Sequence, residues 1–433
     1  MRARTKHGRL LHDLEAYYPG LAREYAKDSD GPVEEGGDGE GQPAVRVRLR
    51  AAQAGPPLLG YQLELVTEFE RVCTAPKGNN VALLTLPTGA GKTRTAAVAL
   101  LRLLTNGDAQ TVLWLAPTRE LLEQATATLE SVWHWDRNAV DLDLVRADLL
   151  PRFPQDVERG ILFATPHMLA ARLRRGVMPD ADVVVFDEAH HVQAPVFRRA
   201  LEQVRRARTT AIIGLSATPG RTSEEETERL VDFFDGRLLR SEELGRDPIG
   251  VLQRRGVLAR VAFKDVPRGA ANAAGRRGTA VDPAGDVERF RATVRLAKGL
   301  ARKARVLVFA PSVDHAGLIA GALRCQGTGA ASVSARHEHG IRRERLRAFE
   351  RGELSVIVNK QLLATGYDCP AVRHVILATT IGSPILFEQI VGRASRGPLV
   401  GGHARSTVWQ FEDHLAAHGL PQSYYRYSDY DWK

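Results

Sequence analysis

Five apolar runs, "VALLTL" (81–86), "TVLWLAP" (111–117), "ILFAT" (161–165), "VVVF" (183–186) and "AIIGLS" (211–216), recur along the chain with helix-like stretches between them. A strand with one face in water alternates apolar and polar residues. A strand that is apolar throughout needs cover on both faces, which a parallel sheet flanked by helices supplies. The rhythm pauses after "SATPGRTSEEETERLVDFF" (216–234) and resumes with "VLVFAP", "SVIVN" and "HVILAT". The pattern predicts an α/β protein with two parallel-sheet domains, at residues 46–240 and 241–433. A length of 433 residues is enough for each to hold its own core.

The remaining stretches read differently. Residues 28–43 hold six acidic side chains and no basic ones among glycines and prolines, so 28–45 is expected to be a flexible acidic linker behind a short helical segment at 1–27. Its carboxylates would repel a phosphate, whatever its glycines suggest. The glycine- and alanine-rich stretch 267–286 is expected to be a mobile loop, and the aromatic tail 421–433 to pack on the second domain. No apolar run is long enough to span a bilayer, and the basic N-terminus carries no secretory h-region, so no membrane role is expected. Cys73, Cys325 and Cys369 lack metal-ligand spacing, and a reducing cytoplasm is the simplest home. The net charge of +9 favours a polyanionic partner.

"LPTGAGKT" (86–93) follows an apolar strand and opens a helix. Gly89 and Gly91 let the backbone curl so that its N–H groups face phosphate oxygens, beside the positive end of the helix dipole. In that setting Lys92 reaches the β- and γ-phosphates and the Thr93 hydroxyl takes Mg²⁺. The full motif wants a glycine at position 86, where Leu86 stands. "ADVVVFDEAHH" brings Asp187 and Glu188 to the C-terminal end of a strand, where open parallel sheets bind ligands. Asp187 suits the Mg²⁺ shell, and Glu188 the attacking water. Near the end of the chain, "EQIVGRASRG" sets Arg393 and Arg396 three positions apart, which on a helix puts both on one face.

In this order the motifs resemble those of superfamily 2 helicases and translocases across about residues 58–412. "GYQLELV" is similar to the glutamine segment ahead of motif I. "APTRELLEQ" resembles motif Ia, "ATPHML" the Thr-Pro motif after it, "DEAH" motif II and "SATP" motif III. "VLVFAPSVDHA" resembles motif IV, "LLATGYDCP" motif V and "QIVGRASR" motif VI. The "DEAH", "TGYDCP" and "GVLARVAF" forms look closest to restriction-enzyme motor subunits and excision-repair helicases.

The resemblance implies two tandem RecA-like domains with the nucleotide cleft between them, and ATP with Mg²⁺ as cofactors. Gln62 would read adenine, while Thr88, Gly366 and Asp368 would add nucleotide contacts. His190, Ser216 and Thr218 would couple the motifs. Gln389, Arg393 and Arg396 would face the γ-phosphate. Nucleic acid, DNA favoured over RNA, would be gripped through its phosphates by Thr118, Arg119, Thr165 and Thr365. Each threonine can equally be a helix N-cap. The basic stripe in "SARHEHGIRRERLRAFERGE" (334–353) is either strand-facing or merely solvated. No nuclease signature accompanies the core, so a restriction or defence role would need a separate nuclease subunit. An RNA helicase, or an ATP-gated clamp that does not travel, stays open as an alternative.

Overall fold

The computed structural model describes residues 10–29, 45–49, 57–76, 78, 80–133, 141–154, 156–190, 195–207, 211–220, 224–266, 286–411 and 432. Nearly all of the acidic linker, the 267–286 loop and the aromatic tail lie outside them. The chain divides into two compact units, Gly39–Val251 with Gln422–Lys433, and Leu252–Pro421 with Met1–Asp38. They are called here the first and second units.

The first unit is built on an eight-stranded sheet in the order β1-β4-β5-β3-β6-β7-β2-β8. Its strands are β1 (Arg46–Leu49), β2 (Val81–Thr85), β3 (Thr111–Leu115), β4 (Leu142–Arg146), β5 (Gly160–Ala164), β6 (Val183–Asp187), β7 (Ala211–Ser216) and β8 (Leu238–Leu239). All neighbours run parallel except β1 and β4. The five apolar runs are β2, β3, β5, β6 and β7, and each is buried along its whole length. β4 is equally buried although it carries Asp143 and Arg146. Arg46 and Arg48 on β1 ion-pair with Asp143, and Arg146 pairs with Asp148 at 2.7 Å. Buried charge survives only when paired, and here each partner is supplied from within the unit.

The second unit holds a six-stranded, wholly parallel sheet in the order β11-β12-β10-β13-β14-β9. The strands are β9 (Arg260–Asp265), β10 (Arg305–Phe309), β11 (Ala330–Val333), β12 (Val356–Asn359), β13 (Val372–Leu377) and β14 (Arg405–Gln410). Apolar clusters fill both sides of this sheet.

The compact units divide between Val251 and Leu252, later than residue 240, where the strand rhythm pauses. The N-terminal segment belongs to the second unit. Leu10, Leu14, Tyr18 and Leu21 are buried in its core, and the Leu21–Ser29 helix crosses the Val313–Cys325 helix. A Cβ at Gly317 would meet the Tyr25 ring at 2.8 Å, and one at Gly321 would meet Leu21 at 3.1 Å, so the two glycines permit this close approach. Arg324 ties the pair together through Glu24 at 2.9 Å and Asp28 at 3.2 Å. Of the aromatic tail, Trp432 is described, and it is buried in the core of the first unit rather than the second. A large indole goes where apolar area is available to cover it.

Candidate nucleotide and nucleic-acid sites

The first unit's motifs meet because of strand register. Across β7, Thr85 pairs with Ser216 and Asp187 with Leu215. The C-terminal ends of β2, β7 and β6 therefore lie side by side, and the segments that leave them are the phosphate loop, "SATP" and "DEAH". Residues from 85 to 218 are thus gathered at one edge of a sheet that nothing in their sequence spacing specifies.

In the phosphate loop Gly89 (φ 91°) and Gly91 (φ 88°) are both left-handed, a conformation that costs glycine nothing. Gly91 caps the Lys92–Asn106 helix, and a Cβ there would lie 2.5 Å from Gln62 Nε2. Lys92 Nζ donates to the Leu86 carbonyl at 3.1 Å, so the residue that replaces the expected glycine uses its backbone to hold the lysine. Thr88 and Thr93 are half-buried on the same loop and helix start. Gln62 is buried. Its Oε1 accepts from Leu59 N at 3.0 Å and its Nε2 reaches the Ala90 carbonyl at 3.4 Å, so the amide is turned onto the loop. Tyr61, which sequence reasoning passed over, donates its hydroxyl to that carbonyl at 2.8 Å. A tyrosine beside the expected glutamine was the available signal.

Asp187 is buried, and burial with the adjacent Glu188 carboxylate pushes its carboxyl well above the usual range, against the pull of Lys92 and of the Glu188 N–H. That N–H donates to Asp187 Oδ1 at 2.9 Å, which draws Glu188 into a left-handed conformation, φ 52°. Such strain in a non-glycine costs on the order of 1–3 kcal/mol and clusters at functional sites. Glu188 Oε2 lies 3.4 Å from His190 Nδ1, which is itself 3.4 Å from Ser216 Oγ. Ser216 donates its hydroxyl to the Thr218 carbonyl at 2.8 Å and accepts from Thr218 N at 3.1 Å. A polar chain thus runs from Asp187 and Glu188 through His190 to Ser216 and Thr218.

The donors fit a hard divalent cation. A buried carboxylate whose charge is penalised by its surroundings stands at the end of β6, one strand removed from the β2 end that leads to the Thr93 hydroxyl, and the buried Thr85 hydroxyl at the end of β2 has no hydrogen-bond partner. Oxygen donors of this kind suit Mg²⁺ carried with phosphates.

Thr118 and Thr165 follow β3 and β5, whose ends pair at Leu115 and Ala164. Both cap helices: Leu121 N donates to Thr118 Oγ1 and Met168 N to Thr165 Oγ1, each at 3.3 Å. Arg119 is exposed and lies 3.6 Å from the buried Asp148.

The second unit holds motifs V and VI, and here the helical expectation needs correcting. The Pro384–Gly392 helix ends before the arginines: Arg393 is its C-cap, and Arg396 pairs in an isolated bridge with Leu258. Both guanidinium groups nevertheless turn onto one loop. Arg393 Nη1 donates to the Tyr367 carbonyl and Nε to the Gln389 carbonyl at 3.2 Å. Arg396 Nε donates to Asp368 Oδ1 at 2.7 Å and Nη1 to the Gly392 carbonyl at 3.1 Å. Gly366 turns this loop at φ 70°, next to half-buried Thr365. Gln389 is buried on the helix.

Sheet order and loop geometry define the class, a P-loop nucleotide-binding protein with two RecA-like domains. Residues 56–221 match the model of the type III restriction enzyme res subunit, and residues 288–397 that of the helicase conserved C-terminal domain. The chain belongs to superfamily 2 and carries its helicase core.

It is 27% identical over 391 residues to a Haloarcula marismortui protein named as a DNA 3'-5' helicase Rad25, covering 87% of this chain and 55% of that one. It is 25% identical over 406 residues to the type I restriction enzyme EcoKI endonuclease subunit of Escherichia coli, covering 78% and 33%. In fold it is similar to a point variant of Saccharomyces cerevisiae Dbp5 bound to RNA and ADP BeF3, with TM-score 0.60, 17% identity, and 85% and 92% of the two chains covered. The chain spans about half the length of the Rad25 relative and a third of the EcoKI subunit. Among the described residues no helix is long and apolar enough to cross a membrane.

Proposed function

We propose that this chain is an ATP-driven motor on nucleic acid, with DNA as its track, in which hydrolysis powers domain closure and strand movement. The reading rests on one observation above the others: a strained Glu188 beside a buried Asp187, joined through His190 to Ser216. A module that only clamps nucleic acid has no use for an intact hydrolytic pair. The name of the Rad25 relative, a DNA helicase, supports DNA.

Lys92 holds the β- and γ-phosphates, with loop N–H groups around them. Asp187 and Thr93 would hold Mg²⁺, which when bound neutralises phosphate charge. Glu188 orients the attacking water and takes its proton. Arg393 and Arg396 stabilise charge on the transferring γ-phosphoryl, with Gln389 helping to position the water or phosphate. Such arginines contribute about 10³–10⁵ in rate in well-studied phosphoryl transfers. Gln62 reads adenine after giving up one of its two present hydrogen bonds, and Gly366 with Asp368 completes the nucleotide shell. Thr118, Arg119, Thr165 and Thr365 grip phosphates of the strand. The helix-cap geometry of Thr118 and Thr165 supports this, since a capped helix start presents N–H groups to an anion. A nuclease on a separate chain would make this the motor of a restriction, repair or phage-defence system.

The deciding measurement is ATP turnover with single-stranded DNA, duplex DNA, RNA and no nucleic acid. Stimulation by DNA is expected, with log affinity falling linearly with log salt at about 0.7 per phosphate neutralised on a single strand. Turnover of the folded protein that ignores every nucleic acid would sink the motor in favour of a partner-activated module. Stimulation by RNA alone would move the track from DNA to RNA.

A further inference from the structure

Arg393 and Arg396 are held in physically different ways. Arg393 is bound to two backbone carbonyls, those of Tyr367 and Gln389, and backbone oxygens cannot leave without moving the loop or the helix. Arg396 also donates to a backbone carbonyl, that of Gly392 at 3.1 Å, but its Nε is bound to the Asp368 carboxylate, on a side chain that is 39% exposed while Arg396's own is 9% exposed. A side chain on an open loop can turn away, at a cost set by the guanidinium that stays buried until it finds another partner.

The backbone of Arg396 has no such freedom. Its carbonyl accepts from His403 N at 2.9 Å, it bridges Leu258, and a Cβ at Gly402 would lie 2.2 Å from that carbonyl oxygen. Only the guanidinium can move, and Asp368 together with the Gly392 carbonyl decides where it points. Glu350 lies near the same carboxylate: burial pushes its carboxyl up, and Asp368 adds to that against Arg347. A second acid beside Asp368 weakens its preference for staying. Thr365 opens the same turn, and left-handed Gly366 stands between it and Tyr367.

We propose that Asp368 is a releasable latch on Arg396, holding the guanidinium on the motif V loop until nucleic acid at Thr365 shifts the loop and frees it for the γ-phosphoryl. This deepens the motor reading and rests on it. It makes Asp368 a positioning residue and gives stimulation by nucleic acid a specific origin: the free protein hydrolyses slowly because one arginine is retained.

Asp368→Asn keeps the shape and removes the charge. In the full chain at saturating ATP, turnover without nucleic acid should rise about tenfold, the scale of one lost charge-assisted hydrogen bond, and the stimulation ratio should fall in step. The rise should appear in kcat, whereas loss of a nucleotide contact by Asp368 would raise the KM for ATP without raising turnover. Asp368→Glu, which keeps a carboxylate for the guanidinium, should not show this rise in turnover without nucleic acid. If Asp368→Asn does not fold, Asp368→Ser gives the same reading.

Unchanged or lower turnover without nucleic acid in the folded Asn or Ser variant overturns the latch. So does a KM raised tenfold with slower turnover, which would make Asp368 a nucleotide contact only. Arg396→Ala separates the two levels. If it hydrolyses ATP at the parent rate with DNA bound, the finger role fails and takes the latch with it. If it is slow while Asp368→Asn shows no gain, the latch alone fails.

Discussion

The acidic end of the first unit and the arginine loop of the second solve opposite electrostatic problems. At Asp187 the fold concentrates negative charge where water is scarce, and the carboxyl is pushed up as a result. At Arg393 and Arg396 it buries two cations and meets them with its own carbonyls and with Asp368. The first arrangement is uncomfortable until a cation arrives with its phosphates. The second is comfortable as it stands and, under the proposed latch, would have to be disturbed to act. On the proposed motor reading this asymmetry has a use: one site calls for ligand, and the other would withhold its help until the ligand and track are in place.

The comparison can be tested from its largest effects downward. Lys92→Ala removes a charge that acts on both the bound nucleotide and the transition state, so ATP affinity should fall about tenfold or more and kcat/KM by roughly 10³ or more. Arg393→Ala and Arg396→Ala should instead leave nucleotide binding largely intact and slow single-turnover hydrolysis by about 10³–10⁵. Lysine at either position should rescue only in part, since a point charge cannot reproduce the planar fork. Arginine variants that lose ATP affinity as strongly as Lys92→Ala would erase the distinction between the two sites.

Stability should move in opposite directions at the two places. Asp187→Asn removes the uncomfortable charge, so thermal unfolding of the ligand-free protein should shift upward, by roughly 0.5–2 kcal/mol, while hydrolysis is lost. Arg396→Ala removes a satisfied group and should not stabilise. A lowered unfolding midpoint for Asp187→Asn would mean that the carboxylate is a structural partner and not a waiting ligand. The smallest effects belong to the helix caps. Thr118→Ala and Thr165→Ala should each cost about 0.5–2 kcal/mol of stability. If they also grip the strand, DNA affinity should fall and the salt slope become shallower, as equilibrium titrations at several salt concentrations would report. Unchanged affinity with the stability loss leaves them as caps alone.

The apolar runs were legible because a strand buried on both faces has no polar alternative. β2, β3, β5, β6 and β7 could be read directly, as could β10, β12 and most of β13. β1 and β4 were not, because their signal is diluted by charges that only pairing makes tolerable: "LDLVR" looks like a surface segment until Arg46 and Arg48 meet Asp143. β9, "RVAFKD", is half-exposed and β14, "RSTVWQ", is mostly polar in composition, so neither carries the pattern that marks a buried strand. The phosphate loop was legible to the residue, since left-handed turns at Gly89 and Gly91 admit almost nothing but glycine.

Sequence by itself determined the chemistry available: a phosphate loop, a pair of carboxylates at a strand end, two arginines three residues apart, and enough buried-strand pattern for two parallel sheets. Tertiary structure decided how those groups are held. Strand order across β2, β7 and β6 set Ser216 against His190, the end of the helix at Gly392 turned both arginines onto the Tyr367–Asp368 loop, and Leu10 through Leu21 became part of the second unit's core. The physical reason is range. Backbone conformation and local pattern act over a few residues and are written in them, whereas the partner of a buried charge or of an unpaired apolar face is whatever the fold brings near, often hundreds of residues away.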